Sequence, residues 1–588
     1  MFVKIDASIN LIPTFLSMKI KTWALLCLQL LAVAAVKAQG VKLIDNGDKV
    51  TLQNKLVSFT FSKNSNIAGI GFKNYTNLLG AKGRAYLLGP GFSMGKPEYR
   101  VVQNTPEVVE IVFDNHAQNH FEYDLHYVLT PNVAGVYCFL IQSHKGGDPV
   151  GSYGQTRWGI SADPGLFDYH LVRDSIQGPM PQMEILDEGE KVQDWTYKLP
   201  DGSIYTKYDY ADYIEGRHVH GMAGQRSGLG LFVIQASHEY LDGGPTKQYQ
   251  DVHAGPFLIN MFNCGHFLSD IRHADDQIGD DWQKLCGPFL LYVNKGKDVP
   301  EVWNDAKLQA QKEIKQWPYT WMKNDLYPLQ RGTVKGTIAL SSGAKFANAH
   351  IILAAPGYDW QAQTRGYIFG VRTDANGNFE LKNVRAGDYT LYAYGGDVTE
   401  EYSKAAVTVK EGQVTDLGAQ TWTPAAYGDK LWQIGIADRR TTGFKLAEHK
   451  RQYGLFNDVP ADLNFTIGKS NEANDWYYAQ TKSGQWNILF NVDKSYTANA
   501  TLTFAIAGAA KKPNVEVWVN NKLAGTLNNM GNDASVYRSA VAGGYYQRKQ
   551  ITFPSNLLAK GQNTMALKLV NVKDGGGVMY DAIKLEAQ

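Results

Sequence analysis

The chain has 588 residues, a length worth about four domain-sized pieces, which excludes a single compact core. Its 58 basic and 57 acidic side chains leave a net charge of +1, so no long-range field draws nucleic acid or an anionic membrane to it. Hydrophobic residues at 44% and charged residues at 20% exclude a disordered or collagen-like chain, and 58 Gly, 33 Tyr and 13 Trp favour glycine turns between aromatic strands.

In chain order, the first feature is an apolar run from Trp23 to Ala35, preceded by Lys19 and Lys21 and followed by Val36-Lys37-Ala38. It is too short to span a bilayer comfortably and has small residues at the positions before a cleavage site. Residues 1–38 are therefore expected to be a secretory signal peptide, with the mature chain secreted from Gln39 and no membrane span. Met18, directly before the basic residues, offers a second start. Cleavage leaves Cys138, Cys264 and Cys286, an odd number that requires at least one free thiol, and the lack of a CxxC pair excludes a zinc ribbon.

From residue 39 to about 325, alternating runs such as Val57-Ser58-Phe59-Thr60-Phe61 are separated by Gly, Asn and Asp turns and predict a large antiparallel β-sandwich. A helix opening at Pro300 is expected to present Val302, Trp303, Ala306, Leu308, Ala310 and Ile314, and the Pro318 and Pro328 region reads as a linker. Residues 331–424 have the size of an immunoglobulin- or transthyretin-like sandwich. Within it, Asp374-Ala375-Asn376-Gly377-Asn378 reads as a hairpin turn; its alternate oxygen-bearing residues suit a calcium loop, but the closing glutamate is missing. Residues 427–588 alternate again, as in Val515-Glu516-Val517-Trp518-Val519, and suit a jelly roll of the carbohydrate-binding kind. The expected fold class is all-β throughout.

Eleven of the 13 histidines fall between His116 and His273, which points to a site in the first sandwich. The densest titratable run is Lys207-Tyr208-Asp209-Tyr210-Ala211-Asp212-Tyr213-Ile214-Glu215-Gly216-Arg217-His218-Val219-His220, which on composition alone also reads as a solvated, tyrosine-rich strand pair. His218 and His220 supply half of a zinc site with no third ligand at a recognisable spacing. A glycosidase needs two opposed carboxylates; Glu184, Asp187, Glu188, Asp209, Asp212 and Glu215 are available, and no spacing singles out a pair. Trp158, Tyr205, Tyr208 and Tyr210 are candidates for stacking on sugar rings or for the core.

Lys207-Tyr208, Val219-His220-Gly221, Gly243-Gly244-Pro245-Thr246-Lys247-Gln248 and Gly265-His266, in that order, resemble the catalytic domain of the rhamnogalacturonan lyases of polysaccharide lyase family four. Asn46-Gly47-Asp48-Lys49-Val50 resembles that family's opening strand, residues 331–424 its fibronectin-III-like middle domain, and Leu431-Trp432-Gln433-Ile434-Gly435 with Met579-Tyr580-Asp581 its carbohydrate-binding third domain. The resemblance implies cleavage of rhamnogalacturonan I, a pectic polysaccharide, by β-elimination between galacturonate C4 and the oxygen carrying rhamnose. That chemistry requires a base near C5, neutralisation of the adjacent carboxylate and an acid for the leaving oxygen. By resemblance, Lys207 and His266 are the catalytic pair. Arg157 is the first choice for gripping the carboxylate, with Arg217 second. Tyr208, His220, Lys247 and His253 are further candidates for substrate binding, although a structural role suits His220 and His253 equally. No organic cofactor and no catalytic metal are expected, and a structural calcium in the third domain stays open because no ligand loop is legible. The rival readings are a glycoside hydrolase and a non-catalytic pectin-binding protein.

Overall fold

A computed structural model of the chain describes residues 40–588 apart from 90–91, 95, 117–119, 150–155, 246, 264–278, 448–453 and 539–542. The expected signal segment, Cys264 and His266 therefore lie outside the described residues.

The all-β expectation holds. Two nine-stranded antiparallel sheets build the first unit, one running from Lys42–Asp45 to Val252–His253 and the other from Ile176–Pro179 to Glu98–Asn104. The strand Val57–Ser62 alternates between buried and half-buried residues, as period-two patterning requires of a sheet with one covered face. By contrast, all ten residues of Gly135–His144 are buried. Val136, Cys138 and Leu140 face the core between the sheets, while Tyr137, Phe139 and Ile141 enter a second apolar cluster on the outer face.

That outer cluster is completed by the helix Val299–Gln316, whose first turn is capped by the Asp298 carboxylate accepting from Glu301 N at 2.9 Å. Its inward face is Val302, Trp303, Ala306, Ala310 and Glu313. Leu308 and Ile314, expected on that face, are 56% and 39% exposed, because their positions on the 3.6-residue turn lie off the buried stripe. Glu313 is buried instead, accepting from Tyr137 and Tyr319 hydroxyls at 3.0 and 2.7 Å. The segment read as a linker is packed: Tyr319, Met322 and Tyr327 belong to the same cluster.

The second unit pairs a three-stranded sheet with a four-stranded one. Its Asn376-Gly377 turn is not a hairpin, since Phe369–Arg372 and Asn378–Val384 belong to different sheets. Asp374 holds this crossover by accepting from Asn376 N and Asn378 N at 2.8 and 2.9 Å. The third unit stacks a four-stranded sheet on a five-stranded sheet around Trp476, Trp486, Phe504 and Tyr580.

Ion pairs join the three units. Glu239 accepts from Arg331 Nη1 at 2.5 Å and Arg385 Nε at 2.8 Å, so a buried carboxylate of the first unit is held by two arginines at the start and middle of the second. Glu215 takes Arg372 from the second unit at 2.5 and 2.9 Å and Arg440 from the third at 3.2 Å.

Candidate active site

Lys207 owes its position to a small three-stranded sheet of Glu190–Gln193, Thr196–Lys198 and Ile204–Thr206. The hairpin between the last two strands turns at Asp201-Gly202, and its register pairs Thr196 with Thr206, whose hydroxyls meet at 2.8 Å. One residue beyond that pair, Lys207 N donates to Trp195 O at 3.0 Å, and Lys207 Nζ donates to Asp194 Oδ2. Trp195 adopts a left-handed backbone with φ of +48°, uncommon for a bulky residue. Its ring lies 4.3 Å from the His253 ring and against Gly255, where an added Cβ would stand 3.2 Å from the indole. Gly255 itself has φ of +86°, so this close approach and this backbone both call for glycine.

These residues line a cavity of about 260 Å³, with Arg157, Asp194, Trp195, Lys207 and His253 on its walls. Arg157 comes from the strand Thr156–Ser161, where it pairs with Met261 and Leu88. Its Nε is buried with no hydrogen-bond partner among the described residues. The Lys207 side chain is 4% exposed, and that of Asp194 57%. Burial lowers the proton affinity of Lys207 most; Asp194 opposes the shift, and Arg157 and Arg538 of the third unit add to it. Burial alone would raise the Asp194 carboxyl, but Lys207, with His253 and Arg538 nearby, holds it below the usual carboxylate range. Burial drops His253 to about 3, so its ring is neutral; its Nδ1 donates to Ala254 O at 2.6 Å.

Lys207, Arg157 and His253 are thus brought together, whereas the other expected binding residues are placed elsewhere. Arg217 is buried against Asp251, Nη1 to Oδ1 at 2.6 Å, and His220 Nε2 donates to Ile259 O at 2.7 Å, with burial pushing its ring well below the usual imidazole range. Lys247 is fully buried on Asp242 at 2.7 Å, and the Tyr249 hydroxyl donates to the same carboxylate at 2.7 Å. Gly243, with φ of +72°, lets the loop close onto Lys247, whose Cδ would lie 2.3 Å from an added Cβ. The glycine-rich motif is therefore a packed latch, and none of these three side chains lines the cavity. Tyr208 is buried, its ring 5.3 Å from Lys207 Nζ, and offers no open face to a sugar. Trp158, Tyr205 and Tyr210 are buried too. Trp158 Nε1 donates to the Tyr127 hydroxyl at 3.1 Å, and the Tyr205 hydroxyl accepts from Ala254 N at 2.6 Å, steadying the His253 segment.

Sequence reasoning missed Asp194. It is the one carboxylate among the described residues lining the cavity, so no opposed pair of the kind a glycosidase uses spans it. The signal was available in the Asp201-Gly202 turn: counting the hairpin back from it sets Trp195 opposite Lys207. Glu215 and Asp212, candidates for such a pair, are held instead by Arg372 with Arg440 and by Arg173. Among the described residues, no group of three or more His, Cys, Asp or Glu side chains is placed to hold a metal ion.

Two family models match the chain. One, described as polysaccharide lyase family 4, domain II, covers residues 330–417; the other, described as polysaccharide lyase family 4, domain III, covers residues 430–585. The chain is 35% identical to a rhamnogalacturonate lyase of Dickeya dadantii (strain 3937) over 593 residues, spanning 96% of this chain and 98% of that protein. It is also 23% identical to rhamnogalacturonate lyase B of Emericella nidulans, spanning 95% of this chain and 99% of that one. A probable rhamnogalacturonate lyase B of Aspergillus terreus matches at 25% over 71% of this chain and 74% of its own.

Proposed function

The chain belongs to polysaccharide lyase family 4 and is a lyase acting on rhamnogalacturonan; from that premise we propose that it cuts the backbone of rhamnogalacturonan I by β-elimination at galacturonate, with Lys207 as the base. In this reading the galacturonate carboxylate rests on Arg157, whose planar guanidinium matches a carboxylate in a two-point fork. That contact stabilises the negative charge that builds on the carboxylate as the C5 proton leaves. Lys207 Nζ takes the proton, the C4–O bond breaks, and the leaving oxygen is protonated by His266, assigned by resemblance. The reaction asks only for acid, base and charge neutralisation, so it needs no organic cofactor.

The observation that carries the reading is a lysine buried in a cavity beside an arginine with an unsatisfied nitrogen. A base must be neutral to act, and both burial and the neighbouring cations favour neutral Lys207. The neutral His253 then serves as a wall of the site and not as a charge. The mature enzyme works outside the cytoplasm, a reading supported by the basic and apolar leader before Gln39. No helix among the described residues is long and apolar enough to cross a membrane.

Purified rhamnogalacturonan I and homogalacturonan are the test substrates, followed by the ultraviolet absorbance of the unsaturated uronate that elimination alone produces. Absorbance should grow on the first polymer and barely on the second, where no rhamnose leaves. New reducing ends without absorbance would identify a hydrolase, and neither signal a binding protein. Lys207→Arg keeps the charge but cannot give up a proton near neutral pH, so it should abolish elimination; near-normal turnover would remove Lys207 as the base.

A further inference from the structure

Lys207 as the base poses a difficulty that the structure answers. The amine must be free of its extra proton before each turnover, yet it is almost wholly buried and donates to a carboxylate, the contact that most favours its charged form. After each turnover it must also lose the proton it took from C5. Among the described residues Asp194 is the one group placed to do both. One oxygen accepts from Nζ inside the cavity, while more than half of the side chain is open to solvent at the edge of the small sheet. The backbone fixes this contact: the Thr196 and Thr206 pairing and the Lys207 N to Trp195 O bond hold the two residues side by side.

We propose that Asp194 is the proton relay of this enzyme: it takes a proton from Lys207 to make the amine neutral in place, and it is the exit through which the abstracted proton reaches water. This deepens the reading of Lys207 as base and rests on it. Between turnovers the pair holds one shared proton. Its transfer from Nζ to Oδ2 leaves a neutral amine beside a neutral carboxylic acid. The amine then forms a bond to the C5 proton, the C5–H electron pair becomes the C4–C5 double bond, and the C4–O pair departs with the leaving oxygen, which is protonated by the acid of the proposed mechanism. Asp194 releases its proton to water, and the pair again holds one. Asp194 reaches substrate only through Lys207 and is in that sense a positioning residue. The charged and titratable groups facing the pair among the described residues are Arg157, His253, Tyr208 and Arg538, and the two cations make the neutral amine easier to reach.

The decisive variant is Asp194→Asn, chosen because the site is exposed and the side chain nearly isosteric. A relay predicts a fall in kcat of about a hundredfold or more with KM little changed. The direction of the acid limb separates a relay from a simple counter-ion. With a relay, wild-type activity is lost only when the pair takes a second proton, below the usual carboxylate range, because Lys207 and Arg538 hold the Asp194 carboxyl down. In Asp194→Asn the ammonium must lose its proton to bulk water, so the limb moves to higher pH. A counter-ion that merely holds the ammonium would do the opposite, since its removal makes Lys207 easier to deprotonate and moves the limb to lower pH. Asp194→Ala should regain part of its turnover as acetate or formate is added, saturating with concentration, and Asp194→Glu should retain most of it. A limb that stays in place or moves to lower pH overturns the proposal, as does a loss that external carboxylates leave untouched. If Lys207→Arg stays active, the base assignment and the relay fall together. If Lys207→Arg is dead while Asp194→Asn is near normal, the relay alone falls.

Discussion

Removing Arg217 should unfold the first unit before it weakens substrate binding, and it should do so more strongly at alkaline pH. Arg217 and Asp251 are both buried, 2.6 Å apart, so truncating the arginine to Met removes the direct ion-pair partner of a buried carboxylate. The expected loss is about 3–5 kcal/mol, the usual effect of stranding one partner of a buried pair. The loss depends on pH in a definite direction. Burial pushes the Asp251 carboxyl up to about 7 even with Arg217 lowering it. A carboxyl whose folded value is raised stabilises the fold at low pH, and that contribution fades as pH climbs from the ordinary carboxylate range to the folded value. In the wild type this decline ends near 7; without the arginine the folded value rises further and the decline continues. Between pH 7 and 8 the variant should therefore lose about 1 kcal/mol more than the wild type, whose carboxyl is already half ionised at 7. Urea unfolding at pH 5, 6, 7 and 8, with KM for rhamnogalacturonan measured on the folded variant, reads both effects. Equal destabilisation at all four values would refute the argument. A raised KM with unchanged stability would instead return Arg217 to the binding site.

The remaining expectations concern the site and its surroundings. Arg157→Lys keeps a positive charge but loses the planar fork, so kcat/KM on rhamnogalacturonan I should fall by roughly ten- to a hundredfold, about 1–3 kcal/mol for a charged hydrogen bond; unchanged steady-state rates would remove Arg157 from the carboxylate contact. Cys264→Ala, once shown by circular dichroism to be folded, should retain turnover, because elimination forms no covalent enzyme intermediate; a folded but inactive variant would give that thiol a chemical role. Gly243→Ala should lower the unfolding midpoint while leaving KM on the folded fraction unchanged, since the added methyl meets Lys247 in the Asp242 latch. A change confined to KM would mean that the glycine-rich loop touches substrate after all.

Much of the architecture was legible because strand periodicity and turn chemistry are local. The alternation in Val57–Ser62 and the Pro300 start of the long helix need only neighbouring residues to be read. The resemblance carried Lys207 and Arg157 to the same site, and both line one cavity. What the sequence by itself could not decide was which polar residues face the cavity and which face the core. Lys207 and Lys247, both in matching motifs, and Arg217 are three candidate cations, yet the first meets a half-exposed carboxylate at a cavity edge and the other two meet buried ones. That difference is made by Asp194, Asp251 and Asp242, whose pairing depends on how hairpins and sheets close over one another. The Asn376-Gly377 turn shows the same division: its chemistry is local, but whether it joins two strands of one sheet or passes between two sheets is settled by packing. Local residues determined the elements and their turns; the environment that sets a side chain's charge, and hence its chemistry, was decided only when distant strands removed water from it.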